Sequence, residues 1–242
     1  MYYQRYIPSG DELDQEEMKR IAAEKAVDYI ENDMTIGLGT GSTVKFALKK
    51  IGKLVNEGLS IKGIPTSQNT KKLAKKYQIP LTTLKEAGEI HLTIDGADEV
   101  DQNLNLIKGG GGALTREKII AFHSKKVIII VDDSKVVKSL GIDFPLPVEV
   151  VKYEWEATKK ALERFNCEIS LRKIMNDPYI TDNGNYILDC EFDRIHDPEQ
   201  MEIDINLIPG VVENGLFIGL ADRVIVGGSQ GVMTLEKEII QS

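Results

Sequence analysis

The fold is decided by the stretch MTIGLGTGST at residues 34–43. Its first five residues are mostly apolar and predict a short buried strand over residues 34–38. From Thr43 onward, apolar residues recur at helical spacing and predict an amphipathic helix. A glycine-rich turn joins the two, so the stretch is a strand–turn–helix unit, which is typical of the start of a parallel α/β sheet.

Strands and helices alternate on both sides of this unit. Further strands are predicted at residues 61–65, 89–95 and 127–132, and helices at residues 16–30, 68–77 and 114–123. The run at 127–132 is nearly all aliphatic, as in a parallel strand covered on both faces. Residues 221–228 predict one more core strand. We therefore expect an α/β fold with a Rossmann-like parallel-sheet catalytic domain.

A second lobe is predicted near the prolines Pro145 and Pro147. Residues 148–217 follow the order βαββαβ, with a hairpin-like turn at 182–185, which suits a ferredoxin-like α+β lobe. The expected domains are a discontinuous α/β domain (1–146 and 218–242) and an inserted lobe (147–217). Residues 1–13 show no periodicity and predict an arm.

The composition excludes several classes of function. The chain of 242 residues has 30 basic and 38 acidic side chains, which argues against a general binder of nucleic acid or anionic membranes. Its two cysteines are too few for a disulfide framework. The aliphatic run 127–131 is much shorter than the ~20 residues of a membrane span, and the N-terminus lacks a secretory signal. We expect a soluble, cytoplasmic protein.

The glycine turn at residues 37–43 is a candidate phosphate site. Glycines let the backbone approach a ligand, and the helix that follows would point free N–H groups at an anion. The lysine of a P-loop is missing, and Ser42 stands where the dinucleotide fingerprint has its last glycine. A tight turn capped by Ser42 is the structural alternative.

Two further motifs carry polar chemistry. Asp95-Gly96-Ala97-Asp98-Glu99-Val100-Asp101 follows a predicted strand, where α/β proteins bind ligands. A solvated acidic turn or a divalent-metal site are its alternatives, although the spacing matches no EF-hand. The run Lys108-Gly109-Gly110-Gly111-Gly112 could hold an oxyanion on its amides, with a flexible linker as the alternative. Glu117 lies just beyond it.

Together these groups could perform proton abstraction beside a carbonyl. A carboxylate base, a second carboxylate, and a lysine with backbone amides can form and stabilise an enediolate. An aldose–ketose interconversion needs these parts and no redox cofactor, and the three histidines are scattered.

The motifs resemble those of the ribose-5-phosphate isomerase A family in order and spacing. The shared segments are 37–43, 66–67, 95–99, 108–111, 115–118, 131–135, 144–149, 181–185 and 208–212. The resemblance implies interconversion of ribose 5-phosphate and ribulose 5-phosphate in the non-oxidative branch of the pentose phosphate pathway. It also implies no cofactor, no metal, and a homodimer or homotetramer.

The same resemblance implies a role for each site residue. Glu117 corresponds to the general base, Asp95 and Asp98 to carboxylates that assist ring opening and hydroxyl proton movement, and Lys108 to the enediolate-stabilising group. The implied substrate-binding residues are Thr40, Gly41, Ser42, Thr43, Gly96, Ala97, Gly109, Gly110, Gly111 and Lys135.

Two other functions stay open at this point. An amino-sugar-phosphate deaminase or a lactonase on a similar scaffold would be expected to use a catalytic histidine, and no histidine lies in these motifs. A non-catalytic sugar-phosphate sensor would normally carry a helix-turn-helix segment, for which the arm before Glu16 is too short.

Overall fold

The computed structural model describes residues 13–236, so residues 1–12 of the predicted arm lie outside it. The helices are α1 (Gln15–Val27), α2 (Ser42–Asn56), α3 (Gln68–Lys76), α4 (Leu84–Ala87), α5 (Leu114–Phe122), α6 (Trp155–Leu162) and α7 (Pro198–Asn206). The strands are β1 (Met34–Leu38), β2 (Ile61–Pro65), β3 (Leu92–Asp95), β4 (Glu99–Val100), β5 (Leu106–Ile107), β6 (Val127–Asp132), β7 (Leu146–Val150), β8 (Glu168–Leu171), β9 (Lys173–Ile174), β10 (Asp177–Pro178), β11 (Tyr186–Glu191), β12 (Val211–Asn214), β13 (Leu216–Phe217), β14 (Arg223–Gly228) and β15 (Gly231–Glu236).

The main sheet has six strands in the order β15-β14-β6-β3-β1-β2. All neighbours are parallel except β15, which runs antiparallel to β14. The predicted α/β class is confirmed. Because β2 and β3 lie on opposite sides of β1, the chain reverses its direction across the sheet there and leaves a crevice at the carboxyl ends of β1 and β3. The glycine turn after β1 and Asp95 at the end of β3 both reach this crevice.

Helix α1 packs across β14 and β6. Its inner face is made of the fully buried Ala22, Ala23 and Ala26, whose small side chains allow a close approach. At Gly227 of β14 a Cβ atom would lie 1.9 Å from the carbonyl oxygen of Met18, so the helix backbone rests almost directly on the strand. This packing brings the first turns of α1 over the end of β6.

A small three-stranded sheet, in the order β13-β5-β4, lies beside the main one and was not predicted. Its strands have two residues each, too few to show an alternating pattern. The sheet fixes the segment that leads to Lys108, whose backbone N–H donates to the carbonyl of Gly215 at 2.9 Å.

The second large sheet contains four antiparallel strands in the order β12-β7-β11-β8. With α6 and α7 it follows the chain order βαββαβ, and the hairpin β9–β10 is an addition. We call residues 147–217 the second lobe. Its apolar cluster also includes Ile107 and Leu140 from the preceding part of the chain. The exact domain boundaries stay a prediction.

Glu149, near the end of β7, is a fully buried carboxylate. It accepts hydrogen bonds from Thr181 Oγ1 at 2.8 Å, Asn185 Nδ2 at 2.9 Å and Asn183 Nδ2 at 3.2 Å. Its other oxygen accepts from Thr115 Oγ1 in the first turn of α5, at 2.5 Å. One side chain therefore ties the second lobe, the turn at 181–185 and α5 together.

We expect Glu149→Gln to lower the free energy of unfolding by about 2–3 kcal/mol, because the amide loses a charged acceptor and turns an N–H₂ group toward buried donors. Urea unfolding followed by circular dichroism measures the change. Glu191→Gln, on the exposed side of β11, is the matched control and should unfold like the wild type. Equal midpoints for Glu149→Gln and the control would contradict this role.

Candidate active site

A polar pocket of about 190 Å³ opens at the carboxyl ends of β1 and β3. It is lined by Gln15, Lys19, Thr40, Gly41, Ser42, Thr43, Gly96, Ala97, Asp98, Lys108, Gly109, Gly111, Glu117, Asp132 and Lys135. All but two of the residues predicted for the site are in this lining. Asp95 lies beneath it and is only 2% exposed, and Gly110 lies beside it on the glycine loop.

Lys108 is the centre of the pocket floor. Its Nζ lies 3.1 Å from Asp95 Oδ2 and 3.2 Å from Glu117 Oε1, and it donates to the carbonyl of Gly96. The ammonium group lies 5.4 Å from the centre of the Phe217 ring. These contacts come from three separate segments, so β3 with the turn after it, α5 and the small sheet must all be in place for the cluster to form.

Burial and charge set the protonation of this cluster. Burial and the nearby Asp95 raise the pKa of Glu117, although Lys108 opposes the shift. Burial would lower the pKa of Lys108, but Asp95 and Glu117 outweigh it and keep the pKa above its ordinary value. The result is a firmly charged cation beside a carboxyl group that can take up a proton more readily than an exposed glutamate.

Asp95 is held by donors on both oxygens. Its Oδ1 accepts from the backbone N–H of Thr40 at 2.9 Å and of Gly96 at 2.7 Å, while Oδ2 faces Lys108. A Cβ at Gly39 would lie 2.1 Å from Asp95 Oδ1, so only glycine permits this approach. The carboxylate thus connects the turn after β1 to the lysine.

Asp98 reaches the pocket from the loop after β3. Its Oδ2 accepts from the N–H of Gly110 at 2.8 Å, which joins it to the glycine loop. Burial raises the pKa of Asp98, and the hydrogen bond from Gly110 and the charge of Lys108 act against the increase.

The other two acids of the motif, Glu99 and Asp101, lie outside the pocket lining. Glu99 accepts from the N–H groups of Gly141 and Asp143, and Asp101 closes its own turn.

Thr40 is fixed by a cluster of hydroxyl groups. Its Oγ1 lies 2.8 Å from Thr66 Oγ1, 2.8 Å from Ser67 Oγ and 3.0 Å from Thr70 Oγ1. Ser67 also caps α3 by accepting from the N–H of Thr70. The turn after β1 is therefore braced from β2 and α3.

The far end of the pocket suits an anion. Gly41 precedes α2 with a φ of 140°, and the helix begins at Ser42 with no side-chain cap. This differs from the alternative of a Ser42 cap and leaves the first N–H groups of α2 without a side-chain acceptor. Lys19 and Lys135 line the same pocket, and together with the helix N-terminus they supply positive charge.

Gln15, Lys19 and Asp132 are lining residues that the sequence did not reveal. Gln15 and Lys19 are four residues apart on α1 and therefore share a face, which is the one available signal. Asp132 is 1% exposed, its Oδ1 accepts from the N–H of Ser134, and its Oδ2 has no hydrogen-bond partner. Nothing in the sequence says that α1 crosses β6.

Comparison with known proteins places the chain in one family. The family model for ribose 5-phosphate isomerase A (phosphoriboisomerase A) matches residues 62–231. The chain belongs to this family. Ribose-5-phosphate isomerase A of Pyrococcus abyssi is 50% identical over 226 residues, covering 92% of this chain and 99% of the relative.

Solved structures of the isomerase family match the fold. A D-ribose-5-phosphate isomerase in complex with phospho-erythronic acid has a TM-score of 0.90 and 48% identity, covering 93% of this chain and all of the other. Ribose 5-phosphate isomerase A of Methanocaldococcus jannaschii has a TM-score of 0.88 and 43% identity, covering 92% and 99%.

The described residues contain neither a group of three or more His, Cys, Asp and Glu placed to hold a metal ion nor a helix long and apolar enough to cross a membrane. His91 accepts from the N–H of Thr35 in β1 and is not among the residues that line the pocket. His123 contacts the carbonyl of Ile119 within α5.

The raised pKa of Glu117 should be visible in protein stability. Its ordinary value is 4.5, so above that pH the unfolded chain has released a proton that the folded isomerase still binds. Tighter proton binding by Glu117 stabilises the folded chain. This stabilisation is complete below the ordinary pKa and is lost as the pH rises through the pKa that Glu117 has in the folded chain. The free energy of unfolding should therefore fall more in the wild type than in Glu117→Gln between about pH 5 and about pH 8.

Urea unfolding of both proteins at the two pH values tests this expectation. Glu57→Gln, an exposed glutamate on the far end of α2, should keep the wild-type dependence. The same loss of stability in all three proteins would show that the pKa of Glu117 is ordinary.

Proposed function

We propose that this chain interconverts D-ribose 5-phosphate and D-ribulose 5-phosphate through an enediolate, in the non-oxidative branch of the pentose phosphate pathway. The observation that carries the proposal is the placement of Lys108 Nζ within 3.2 Å of both Glu117 and Asp95, on the floor of a pocket with an anion-binding end. Family membership names the substrate class, and the geometry supplies the chemical groups.

Glu117 is the general base in this proposal. It removes the proton from C2 of the open-chain aldose, and the electron pair of the broken C–H bond forms the C1–C2 double bond while O1 becomes the oxyanion. The protonated Glu117 then returns the proton to C1, and the hydroxyl proton of O2 moves to O1. The raised pKa of Glu117 suits both steps, because the same group must accept and release a proton.

Lys108 stabilises the developing oxyanion. Its charge is fixed in a buried, preorganised position, where it acts more strongly than in water. The amides of the glycine loop, residues 109–111, add dipoles at the same place. Asp95 is already satisfied by two amides and the lysine, so we propose that it acts through Lys108.

Asp98 is the carboxyl group that we assign to the hydroxyl protons and to ring opening. Unlike the covered Asp95, it lines the pocket, and burial makes its proton easier to retain. Gly96 and Ala97, between the two acids, line the pocket with backbone and a methyl group and would contact the sugar.

The phosphate group fits the other end of the pocket. The first N–H groups of α2, the hydroxyls of Ser42 and Thr43, and the ammonium groups of Lys19 and Lys135 can surround three anionic oxygens. A relative was solved with phospho-erythronic acid, which combines a phosphate with a carboxylate. We propose that the same two-ended arrangement binds sugar phosphates here.

We also propose a cytoplasmic homodimer or homotetramer that contains no metal or cofactor. The second lobe supports the assembly because it exposes large apolar side chains. Tyr153 is 82% exposed, Met175 is 92% exposed and Leu207 is 73% exposed. Where such side chains form one apolar surface, that surface often marks a contact between protein chains.

The direct test adds ribose 5-phosphate to the purified protein in the presence of EDTA and follows ribulose 5-phosphate. We expect conversion by the wild type and by the control Glu57→Gln. Glu117→Gln should lose about 10²–10⁴-fold in kcat, because it cannot accept the proton, while KM changes little. If the wild type did not convert ribose 5-phosphate, the proposed activity would be wrong and the hypothesis of a non-catalytic sugar-phosphate sensor would replace it.

Lys108→Ala should lower kcat more than it raises KM, since its charge matters most when the oxyanion forms. Steady-state kinetics measures the two effects. Lys138→Ala, a lysine beyond the pocket lining, is the control. A change confined to KM would assign Lys108 to substrate binding instead.

A further inference from the structure

Arg172 is a charged residue of the second lobe that the proposed mechanism does not use. It follows β8 directly and reaches across to the glycine loop. Its Nη1 donates to the carbonyl of Gly109 at 2.7 Å and to the carbonyl of Gly110 at 3.2 Å. The cation therefore holds two successive peptide groups of the loop that leads from Lys108 to α5.

The peptide group between Gly109 and Gly110 has partners at both ends. Its carbonyl accepts from Arg172, and its N–H, on Gly110, donates to Asp98 Oδ2 at 2.8 Å. The C=O and N–H of a trans peptide point in opposite directions, so a bond on one side fixes the direction of the other. A cation on the carbonyl also polarises the peptide group and strengthens its N–H as a donor.

Arg172 is itself held firmly. Its Nε donates to Asp189 Oδ2 at 2.9 Å and its Nη2 donates to Asp189 Oδ1, which makes a two-pronged pair with side chains 14% and 15% exposed. Its backbone pairs with Ile187 on one side and Tyr179 on the other. The hydroxyl of Tyr179 donates to the carbonyl of Gly111 at 3.3 Å.

The glycine loop depends on this external support. A Cβ at Gly110 would lie 2.6 Å from Asp98 Oδ1, so the close contact with Asp98 excludes a side chain that could brace the loop from within. Consecutive glycines have many backbone conformations open to them. Arg172 and Tyr179 supply the side-chain bonds that select one of these conformations.

We propose that Arg172 is a positioning residue for the isomerase reaction: it holds and polarises the peptide groups of Gly109–Gly111, so that their N–H groups face Asp98 and the developing enediolate. This inference rests on the proposed function and extends it by giving the second lobe a part in the chemistry. Arg172 does not line the pocket, so it acts through the loop.

Two substitutions test the inference in the full-length protein. Arg172→Gln should lower kcat about 100-fold, the size of effect expected when a catalytic group is misplaced by about 1 Å, while KM for ribose 5-phosphate changes less than about threefold. Arg172→Lys keeps the charge but not the two-pronged geometry and should lie between Arg172→Gln and the wild type. Arg164→Gln, which changes an exposed arginine of the same lobe, is the matched control and should keep wild-type kinetics.

Binding of phospho-erythronic acid separates positioning from general destabilisation. Its planar carboxylate stands in for the enediolate, so its affinity should fall in Arg172→Gln by much more than KM rises. Added guanidinium ion should restore part of kcat in Arg172→Ala, whereas a fold weakened as a whole would not recover. If Arg172→Gln leaves an unpaired Asp189 that prevents folding, the double variant Arg172→Gln/Asp189→Asn removes both charges and serves in its place.

The outcomes distinguish this inference from the function on which it rests. A wild type that does not convert ribose 5-phosphate overturns both. A wild type that converts it, with Arg172→Gln or the double variant equal to it in kcat and in phospho-erythronic acid affinity, overturns the role of Arg172 alone. The role of Arg172 would also be overturned if kcat fell but guanidinium ion did not restore it and phospho-erythronic acid bound as tightly as to the wild type. The loss of kcat would then be a structural effect.

Discussion

The structure depends on one buried positive charge. Lys108 is 3% exposed, and an ammonium group taken out of water is costly unless opposite charges and acceptors surround it. Asp95, Glu117 and the carbonyl of Gly96 meet that need; Asp95 and Gly96 come from the end of β3 and the turn after it, and Glu117 comes from α5. Asp95 in turn accepts from the N–H of Thr40, which lies on the turn next to the proposed phosphate site. The two ends of the pocket are therefore linked through the lysine and its carboxylate.

The charges around Lys108 also determine which carboxyl group can carry a proton. A single cation faces two carboxyl groups, so one of them can be protonated at little cost, and Glu117 is the one that burial and Asp95 favour. In the proposed reaction Asp95 keeps its two amide partners and holds the cation in place. A proton can then move on and off Glu117 while the charge next to it stays fixed.

The sequence predicted the parts of the fold that depend on local patterns. Apolar periodicity predicts the main strands and helices. The glycine runs predict turns in which the backbone comes close to another group, because only glycine permits such an approach. It could not predict β4, β5 and β13, because two-residue strands have no pattern, or the positions of Gln15, Lys19 and Asp132, because these depend on where α1 crosses the sheet. The segment that contains Glu149 does not predict why a charged residue stands there. Only the packing shows that four donors surround its carboxylate.

The turn at residues 181–185 has a consequence for protein engineering. By composition it is a polar, glycine-containing tip, the kind of site where insertions, tags and new chain ends are usually accepted. Yet Asp182 accepts from the N–H of Gln68 at the start of α3, and its carbonyl accepts from Arg116 of α5. Cutting or lengthening the chain there would release α3, α5 and β7 at once. A site that tolerates insertions should be sought elsewhere, in an exposed turn that makes no hydrogen bonds to other segments.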